Sequence, residues 1–198
     1  MKGIVINLDS RPDRWEKFQQ NKFPFPIERF PAIIASCGEY GCTLSHLQVL
    51  SEQKEFPFIV FEDDCVMLQP WSVIEQAMQQ LPKKWDALWL GANLRKPLEK
   101  HSDNLFKLKN GYCLHAVIYN SKRMVDFILN HHDTPPGKNL DIYICKVIQK
   151  QFNCFIVDPL CATQLSDKSD IANVETNNFE EIQNNFKRFT ECQLISQI

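Results

Sequence analysis

The sequence lacks several features that mark specialised classes of protein. No apolar run approaches the roughly 18 residues of a membrane-spanning helix, and the chain enters an apolar, β-branched run at Lys2, so we expect no signal peptide. The eight cysteines include no C-x-x-C pair, and Cys37 and Cys42 have no second pair with which to complete a zinc site. We therefore expect reduced, mostly buried cysteines and a cytoplasmic protein.

Strong net charge is also missing. The 22 Lys and Arg residues nearly balance the 24 Asp and Glu residues, and the formal net charge of -2 offers no general electrostatic basis for binding nucleic acid or membranes. The chain shows no internal repeat and no low-complexity segment. Its hydrophobic content of 44% over 198 residues is enough for the core of one domain.

Short apolar runs alternate with helical patterns, which predicts an α/β fold: a single three-layer domain with a mixed, mostly parallel sheet. The predicted strands are 2–8, 27–33, 56–61, 86–91 and 154–159, with a hairpin at Asn110-Gly111. The predicted helices are 43–53, 71–81, 121–130 (capped by Ser121), 140–152 and an amphipathic one around 179–189. Residues 38–41 and 93–104 are predicted loops. Ser10, Pro12 and Asp13 have the spacing of a capping box that starts another helix.

The most informative feature is the acidic triplet Glu62-Asp63-Asp64 at the end of the apolar run 56–61. Burying a carboxylate is costly unless it is paired or bound to a metal. In open α/β sheets, ligands bind beyond the carboxyl ends of the strands. The triplet therefore predicts a site for a hard divalent cation and a phosphorylated ligand. Because side chains alternate along a strand, Glu62 and Asp64 should share one side and Asp63 should face the other.

Several segments resemble, in order, glycosyltransferase family 25, which contains lipopolysaccharide glycosyltransferases and collagen galactosyltransferases. The matching segments are INLDSRPDRW, GCTLSHLQVL, IVFEDDCV, GYCLHAVIYNSKRMVDFIL, NLDIYI and DPLCATQLSDKSDI, which together span roughly residues 3–171. The resemblance implies a GT-A-type nucleotide-sugar transferase domain over 1–171. After residue 171 the chain turns polar, and residues 172–198 are predicted to form a polar, helical tail that packs on or extends from the same domain. It also implies an inverting mechanism and a nucleotide-diphosphate sugar donor, most often UDP-galactose or UDP-glucose.

The resemblance also suggests roles for individual residues. Asp64 would be the first metal ligand for Mn²⁺ or Mg²⁺, with Glu62, Gln164 and Asp170 as further ligands. Asp141 would be the base that takes the proton of the acceptor hydroxyl. The residues expected to contact the donor nucleotide or sugar are Asn7, Leu8, Asp9, Arg11, Arg14, Gly41, Ser45, His46, Glu62 and Asp63.

Each of these residues also has a structural interpretation. Arg11 and Arg14 suit phosphate binding at a helix start, but either could pair with a nearby acid. His46 and Ser45 could be hydrogen-bonded core groups, and Asp141 could be a plain helix cap. The expected acceptor is a glycan such as lipopolysaccharide. The alternatives are a protein or modified nucleic-acid acceptor, a catalytically silent sugar-nucleotide binding module, or a metal-dependent phosphohydrolase.

Overall fold

The computed structural model describes residues 1–132, 139–165 and 177–191. Within these ranges, eight strands form a central sheet and two short strand pairs stand apart from it. The central strands are Gly3–Asn7 (β1), Ile27–Pro31 (β2), Phe58–Glu62 (β3), Ala87–Trp89 (β5), Glu99–Ser102 (β7), Leu105–Lys107 (β8), Ala116–Tyr119 (β10) and Cys154–Val157 (β11). The separate pairs are Cys65–Met67 (β4) with Ala162–Gln164 (β12), and Asn93–Leu94 (β6) with Gly111–Tyr112 (β9).

The strand order of the central sheet is β2-β1-β3-β10-β5-β11-β8-β7. β1 is parallel to β2 and β3, and β5 is parallel to β11, whereas β10 and β8 are antiparallel to both of their neighbours. Six of the eight strands consequently point the same way, and the predicted mixed, mostly parallel α/β sheet is confirmed. β1 and β3 are buried on both faces, which explains why they read as continuous apolar runs.

Helices cover both faces of the sheet. They are Pro12–Phe18 (α1), Gly38–Glu52 (α2), Trp71–Met78 (α3), Lys122–His131 (α4), Leu140–Tyr143 (α5), Gln149–Gln151 (α6) and Asn178–Glu191 (α7), with a π-helical turn, Ile144–Ile148, between α5 and α6. On one face, α2, α4 and α7 contribute Leu50, Ile128 and Phe186 to a single apolar cluster. On the other face, α1 and α3 contribute Phe18 and Ile74 to a second cluster. The predicted three-layer arrangement is therefore present.

The start of α2 differs from the prediction. Residues 38–41 were expected to form a loop, but the helix begins at Gly38 and includes Gly41. Glycine is a poor helix former, which is why the pattern indicated a loop. Gly41 is needed here because a Cβ atom at this position would lie 2.5 Å from the carbonyl oxygen of Ile33. The helix gains a close backbone approach at the cost of helix propensity.

The predicted capping by Ser10 is wrong. α1 begins at Pro12, as the proline indicated, but Arg11 occupies the N-cap position and makes no capping bond with its side chain. Asp13 instead pairs with Arg11 at 2.9 Å. At the start of α4, by contrast, Ser121 caps the helix as predicted, with its Oγ accepting a 3.2 Å bond from the amide of Met124.

The hairpin predicted at Asn110-Gly111 is also wrong. β8 pairs with β7 and β11, whereas β9 pairs with β6, so the strands on either side of Gly111 are not partners. The hairpin lies earlier in the chain and joins β7 to β8. β7 lies within the segment 93–104, which was predicted to be a loop, and β8 directly follows that segment. β7 is an edge strand of sequence EKHS, whose exposed polar residues give no apolar signal.

The C-terminal region contains the predicted helix. α7 is amphipathic, and its residues Ile182 and Phe186 are buried against the main core. In the three ranges that the structure describes, no helix has both the length and the apolar character that crossing a membrane requires.

Candidate functional site

The acidic triplet lies at the carboxyl edge of the sheet, next to the end of β1. Ile6 of β1 stands opposite Glu62 of β3 in the parallel register, so the residues that follow the two strands meet at this edge. A cavity of about 510 Å³ opens there. The predicted site residues that line it are Leu8, Arg14, Gly41, Ser45, Glu62, Asp63, Asp64 and Gln164. The topology thus gathers eight of the predicted residues around one space.

Glu62 is held by hydrogen bonds to both of its carboxylate oxygens. His46 Nε2 lies 3.0 Å from Oε1, and Gln164 Nε2 donates to Oε2 at 3.0 Å. Burial raises the pKa of Glu62, but the hydrogen bond and charge of His46, with a smaller contribution from Gln164, outweigh it and bring the pKa below its usual range. Glu62 is therefore an ionised carboxylate whose oxygens already have partners.

Asp63 points to the other side of the strand, as the alternation predicts. Its Oδ2 accepts a 2.7 Å bond from Asn7 Nδ2, and its Oδ1 pairs with Arg14 at 3.2 Å. Burial raises the pKa of Asp63 despite these partners. For Arg14, burial favours the neutral form, but the negative charges of Asp63 and Asp64 prevail and raise its pKa. Arg14 and Asp63 thus form a nearly buried ion pair on the cavity wall.

Asp64 has the weakest partners of the three acids. Gln164 Nε2 approaches its two carboxylate oxygens at 3.5 Å each, which is long for a hydrogen bond. Burial, followed by the negative charges of Glu62 and Asp63, raises the pKa of Asp64 to about 8. A carboxylate in this position needs a positive charge that the neighbouring protein groups supply only in part.

Gln164 reaches the acids because of a short strand pair. β12 runs antiparallel to β4, which directly follows the triplet, and Gln164 stands opposite Cys65. The amide of Leu165 donates a 2.8 Å bond to the carbonyl of Asp64. Residues 102 positions apart in the sequence are thereby fixed side by side.

The donor atoms around Asp64 fit a hard divalent cation. Carboxylate oxygens are the ligands that Mg²⁺ and Mn²⁺ prefer, and such ions are often held by one or two carboxylates together with the phosphates of a substrate. Asp64 lines the cavity and has oxygens to offer, whereas Glu62 would have to give up existing bonds. Asp170, the other predicted ligand, lies outside the described residues.

A second group of possible ligands lies beside the triplet. The ligand atoms of Cys42, His46 and Glu62 lie within 4.8 Å of one another. Burial, then the negative charge of Glu62, raises the pKa of the Cys42 thiol well above its usual range, which disfavours the thiolate that a metal would require. The thiol instead lies 3.9 Å from Glu62 Oε1, as a weak donor. We interpret Cys42 and His46 as groups that hold the Glu62 carboxylate in place rather than as metal ligands.

The N-terminal half of α2 lines the cavity through Gly38, Gly41, Cys42 and Ser45. Ser45 Oγ donates to the carbonyl of Gly41 at 2.7 Å and accepts from the amide of Ile33 at 2.8 Å. The bond from the amide of Ile33 ties the segment 32–35 to the helix. That segment lines the cavity through Ala32, Ile33, Ile34 and Ala35. Ser45 is buried, so its role in the structure is to position the wall.

Four of the predicted donor contacts do not line the cavity. Asn7 lies beneath Asp63 and accepts a 2.7 Å bond from Arg29 Nε. Asp9 pairs with Arg29 and is mostly exposed, and Arg11 pairs with Asp13. His46 lies behind Glu62 and is 1% exposed, so it too acts on the cavity through another residue.

Asp141 stands in the first turn of α5, outside the lining of the cavity but close enough to interact electrostatically with Glu62. The backbone N–H groups of Ile142 and Cys113 donate to its carboxylate, whereas its Oδ1 is buried with no hydrogen-bond partner among the described residues. Burial, then the negative charge of Glu62, raises the pKa of Asp141. Asp141 is therefore a half-buried carboxylate whose proton affinity is higher than that of an exposed aspartate.

Sequence reasoning missed part of the cavity wall. The apolar segment 32–35 and Asn178 of α7 both line it. Ala32 and Ile33 were predicted to belong to the strand 27–33, which in the structure ends at Pro31. Ile34 is 83% exposed, and an exposed apolar side chain on a cavity wall is consistent with a binding surface. Asn178 gave no signal, because a single amide in a polar segment is indistinguishable from ordinary surface.

Comparison with known proteins gives a fold but no family. No protein-family model matches the chain, and no curated protein matches it. The crystal structure of A197 from STIV is similar with a TM-score of 0.51 and 12% identity, over 84% of this chain and 85% of that one. This likeness supports the α/β architecture.

Two other solved structures have TM-scores below 0.5. The inositol-1-phosphate CTP transferase from T. maritima has a TM-score of 0.46 and 10% identity, over 96% of this chain and 78% of that one. HddC from Yersinia pseudotuberculosis has a TM-score of 0.45 and 9% identity, over 94% and 79%. Any conclusion about function has to come from the site itself.

Proposed function

We propose that the protein is a metal-dependent, inverting glycosyltransferase with a GT-A-type fold. Its donor would be a nucleotide-diphosphate hexose, UDP-galactose or UDP-glucose, and its acceptor a hydroxyl group of a glycan such as lipopolysaccharide. The observation that carries the proposal is the position of Asp64, a half-buried carboxylate without strong partners, on the wall of a cavity of about 510 Å³ at the carboxyl edge of the sheet.

The cavity has the size and the walls that a nucleotide sugar requires. Pockets for small ligands typically measure about 300–1,000 Å³, are largely apolar and carry a few converging polar groups. Here the apolar wall is the segment 32–35 together with Leu8, and the polar groups are the acids and Gln164. The flat, apolar faces of a nucleobase would pack against the apolar wall. The charged diphosphate and its cation would lie toward the acids and Gln164.

The metal ion would neutralise the diphosphate as the bond between sugar and phosphate breaks. Asp64 would hold it directly, and Glu62 would keep the local potential negative while remaining bonded to His46 and Gln164. Arg14 is committed to Asp63 in this structure, so its first role is to hold that acid in place. These assignments give each member of the triplet a different task.

Asp141 would take the proton of the acceptor hydroxyl. Its raised pKa supports this role, and its place outside the donor cavity is consistent with an acceptor that approaches from another side. In an inverting transfer, the base must lie on the face of the sugar opposite the leaving diphosphate.

A thermal-shift panel tests the donor site. We would measure wild-type protein, Asp64→Asn and the control Asp126→Asn, whose carboxylate lies on the surface of α4. The ligands would be UDP, GDP, CMP and dTDP sugars, each with and without Mn²⁺. A ligand that binds only the native state raises its stability by mass action, by about 2.7 kcal/mol at a hundred times Kd.

We expect a shift with a UDP-hexose that requires Mn²⁺, persists in Asp126→Asn and disappears in Asp64→Asn. If none of the nucleotide sugars shifts the melting temperature, the proposed function is refuted. A Mn²⁺-dependent shift without release of UDP in the presence of glycan acceptors would favour a catalytically silent binding module. If UDP is released as fast without a glycan acceptor as with one, the result would favour a hydrolase.

A further inference from the structure

The C-terminal helix α7 reaches the same cavity as the acidic triplet. Its first residue, Asn178, belongs to the cavity lining, together with Gln164 and Asp64 from distant parts of the chain. The helix is held against the domain by Ile182 and Phe186, both buried in the main apolar cluster. The packing of Ile182 and Phe186 therefore holds the first turn of α7, with Asn178, at the cavity.

A buried asparagine fixes the position of α7. Asn93 of β6 is 6% exposed, and its Nδ2 donates to Glu181 Oε1 at 3.0 Å while its Oδ1 accepts from Asn185 Nδ2 at 2.9 Å. Glu181 and Asn185 are one helical turn apart, so a single amide holds two successive turns of the same face. Arg95 adds an ion pair to Glu181 at 3.3 Å. A buried amide is costly when it is unpaired. The two hydrogen bonds of Asn93 therefore fix both the rotation of α7 about its axis and its position along that axis.

The side chain of Asn178 has its hydrogen-bonding capacity available. Among the described residues no hydrogen bond of this side chain is present, whereas the neighbouring Asn177 donates to Glu180 at 3.0 Å. An amide offers two donors and an acceptor, which match a hydroxyl group well. The first turn of α7 also carries Glu180 and Glu181, whose charges disfavour a phosphate at this position.

From this geometry we infer that Asn178 binds a hydroxyl group of the donor, on its ribose or on its hexose, and that Asn93 is the positioning residue that holds it there. The inference rests on the proposed function, because it requires a nucleotide sugar in the cavity. It assigns a role in donor recognition to a helix in the segment 172–198, which was predicted to be a polar tail packed on or extending from the same domain.

The test compares affinities of Asn178→Ala with those of wild-type protein by calorimetric titration with UDP, UDP-galactose and UDP-glucose in MnCl₂. The matched control is Asn184→Ala, an exposed asparagine on the same helix. A neutral hydrogen bond corresponds to a loss of about 3- to 10-fold in affinity. A loss for the UDP-hexoses alone would assign the contact to the hexose, and an equal loss for UDP would assign it to the ribose.

Asn185→Ala tests the positioning role without removing the buried asparagine. It deletes one of the two bonds of Asn93, and we expect it to weaken binding of the same ligands by a smaller factor while Asn184→Ala leaves it unchanged. Wild-type affinity in Asn178→Ala would overturn the inference and leave the proposed function standing. Absence of nucleotide binding in the wild type would overturn the proposed function, and the inference with it.

Discussion

Removing the charge of Asp64 should stabilise the metal-free protein while abolishing its response to Mn²⁺. The pKa of Asp64 rises from 3.8 to about 8 on folding, chiefly through burial and then through the charges of Glu62 and Asp63. The native state consequently holds more protons than the unfolded state between these two values. Stability therefore falls as the pH rises through this window, and the full cost of the charge is reached above it.

The magnitude follows from the size of the shift. The difference between a pKa of 3.8 and a pKa of about 8 corresponds to about 6 kcal/mol at most. Relaxation and entry of water reduce such penalties in real proteins, so we expect Asp64→Asn to raise the free energy of unfolding by about 2 kcal/mol at pH 8. The gain should shrink toward zero as the pH is lowered to about 4.

The assay is urea denaturation of wild-type protein and Asp64→Asn in EDTA at several pH values, repeated at pH 8 with Mn²⁺ in place of EDTA. The control Asp126→Asn removes an exposed carboxylate paired with Lys122 and should change stability little at any pH. Mn²⁺ should stabilise the wild type and Asp126→Asn but not Asp64→Asn. If Asp64→Asn were less stable than the wild type at pH 8 without metal, the fold itself would compensate this charge, and the reasoning would be wrong.

Three further substitutions probe other parts of the structure. Asp141→Asn should leave binding of UDP-hexose nearly intact and lower turnover by a factor of about 100 or more; full turnover in a UDP-release assay would contradict its role as the base. Gly91→Ala would bring a Cβ atom to 1.9 Å from the carbonyl oxygen of Ala162, so we expect a loss of about 3 kcal/mol or more by urea denaturation. An unchanged midpoint would show that the backbone moves aside. Ser45→Ala leaves the partly buried amide of Ile33 without its acceptor, which should cost about 1 kcal/mol and weaken nucleotide binding; a stability loss with unaltered affinity would separate this wall from the ligand.

Much of the architecture follows from local patterns. β1 and β3 are continuous apolar runs because both faces of a central parallel strand are buried, and such runs can be recognised without knowledge of their neighbours. The hairpin was misplaced because the edge strand β7 is polar, so that its identity depends on β8 beside it. The helical start at Gly38 was missed because helix propensity was overridden by the contact between Gly41 and Ile33.

The amino-acid sequence by itself determined that an acidic triplet ends a buried strand and that strand alternation separates Asp63 from its two neighbours. Tertiary structure alone decided what each acid does. His46 and Gln164 come from other elements to ionise and hold Glu62, and Arg14 pairs with Asp63, while Asp64 has only long contacts. The energy of a charge in a poorly solvated site depends on distances of a few ångströms, and packing between segments far apart in the chain sets those distances.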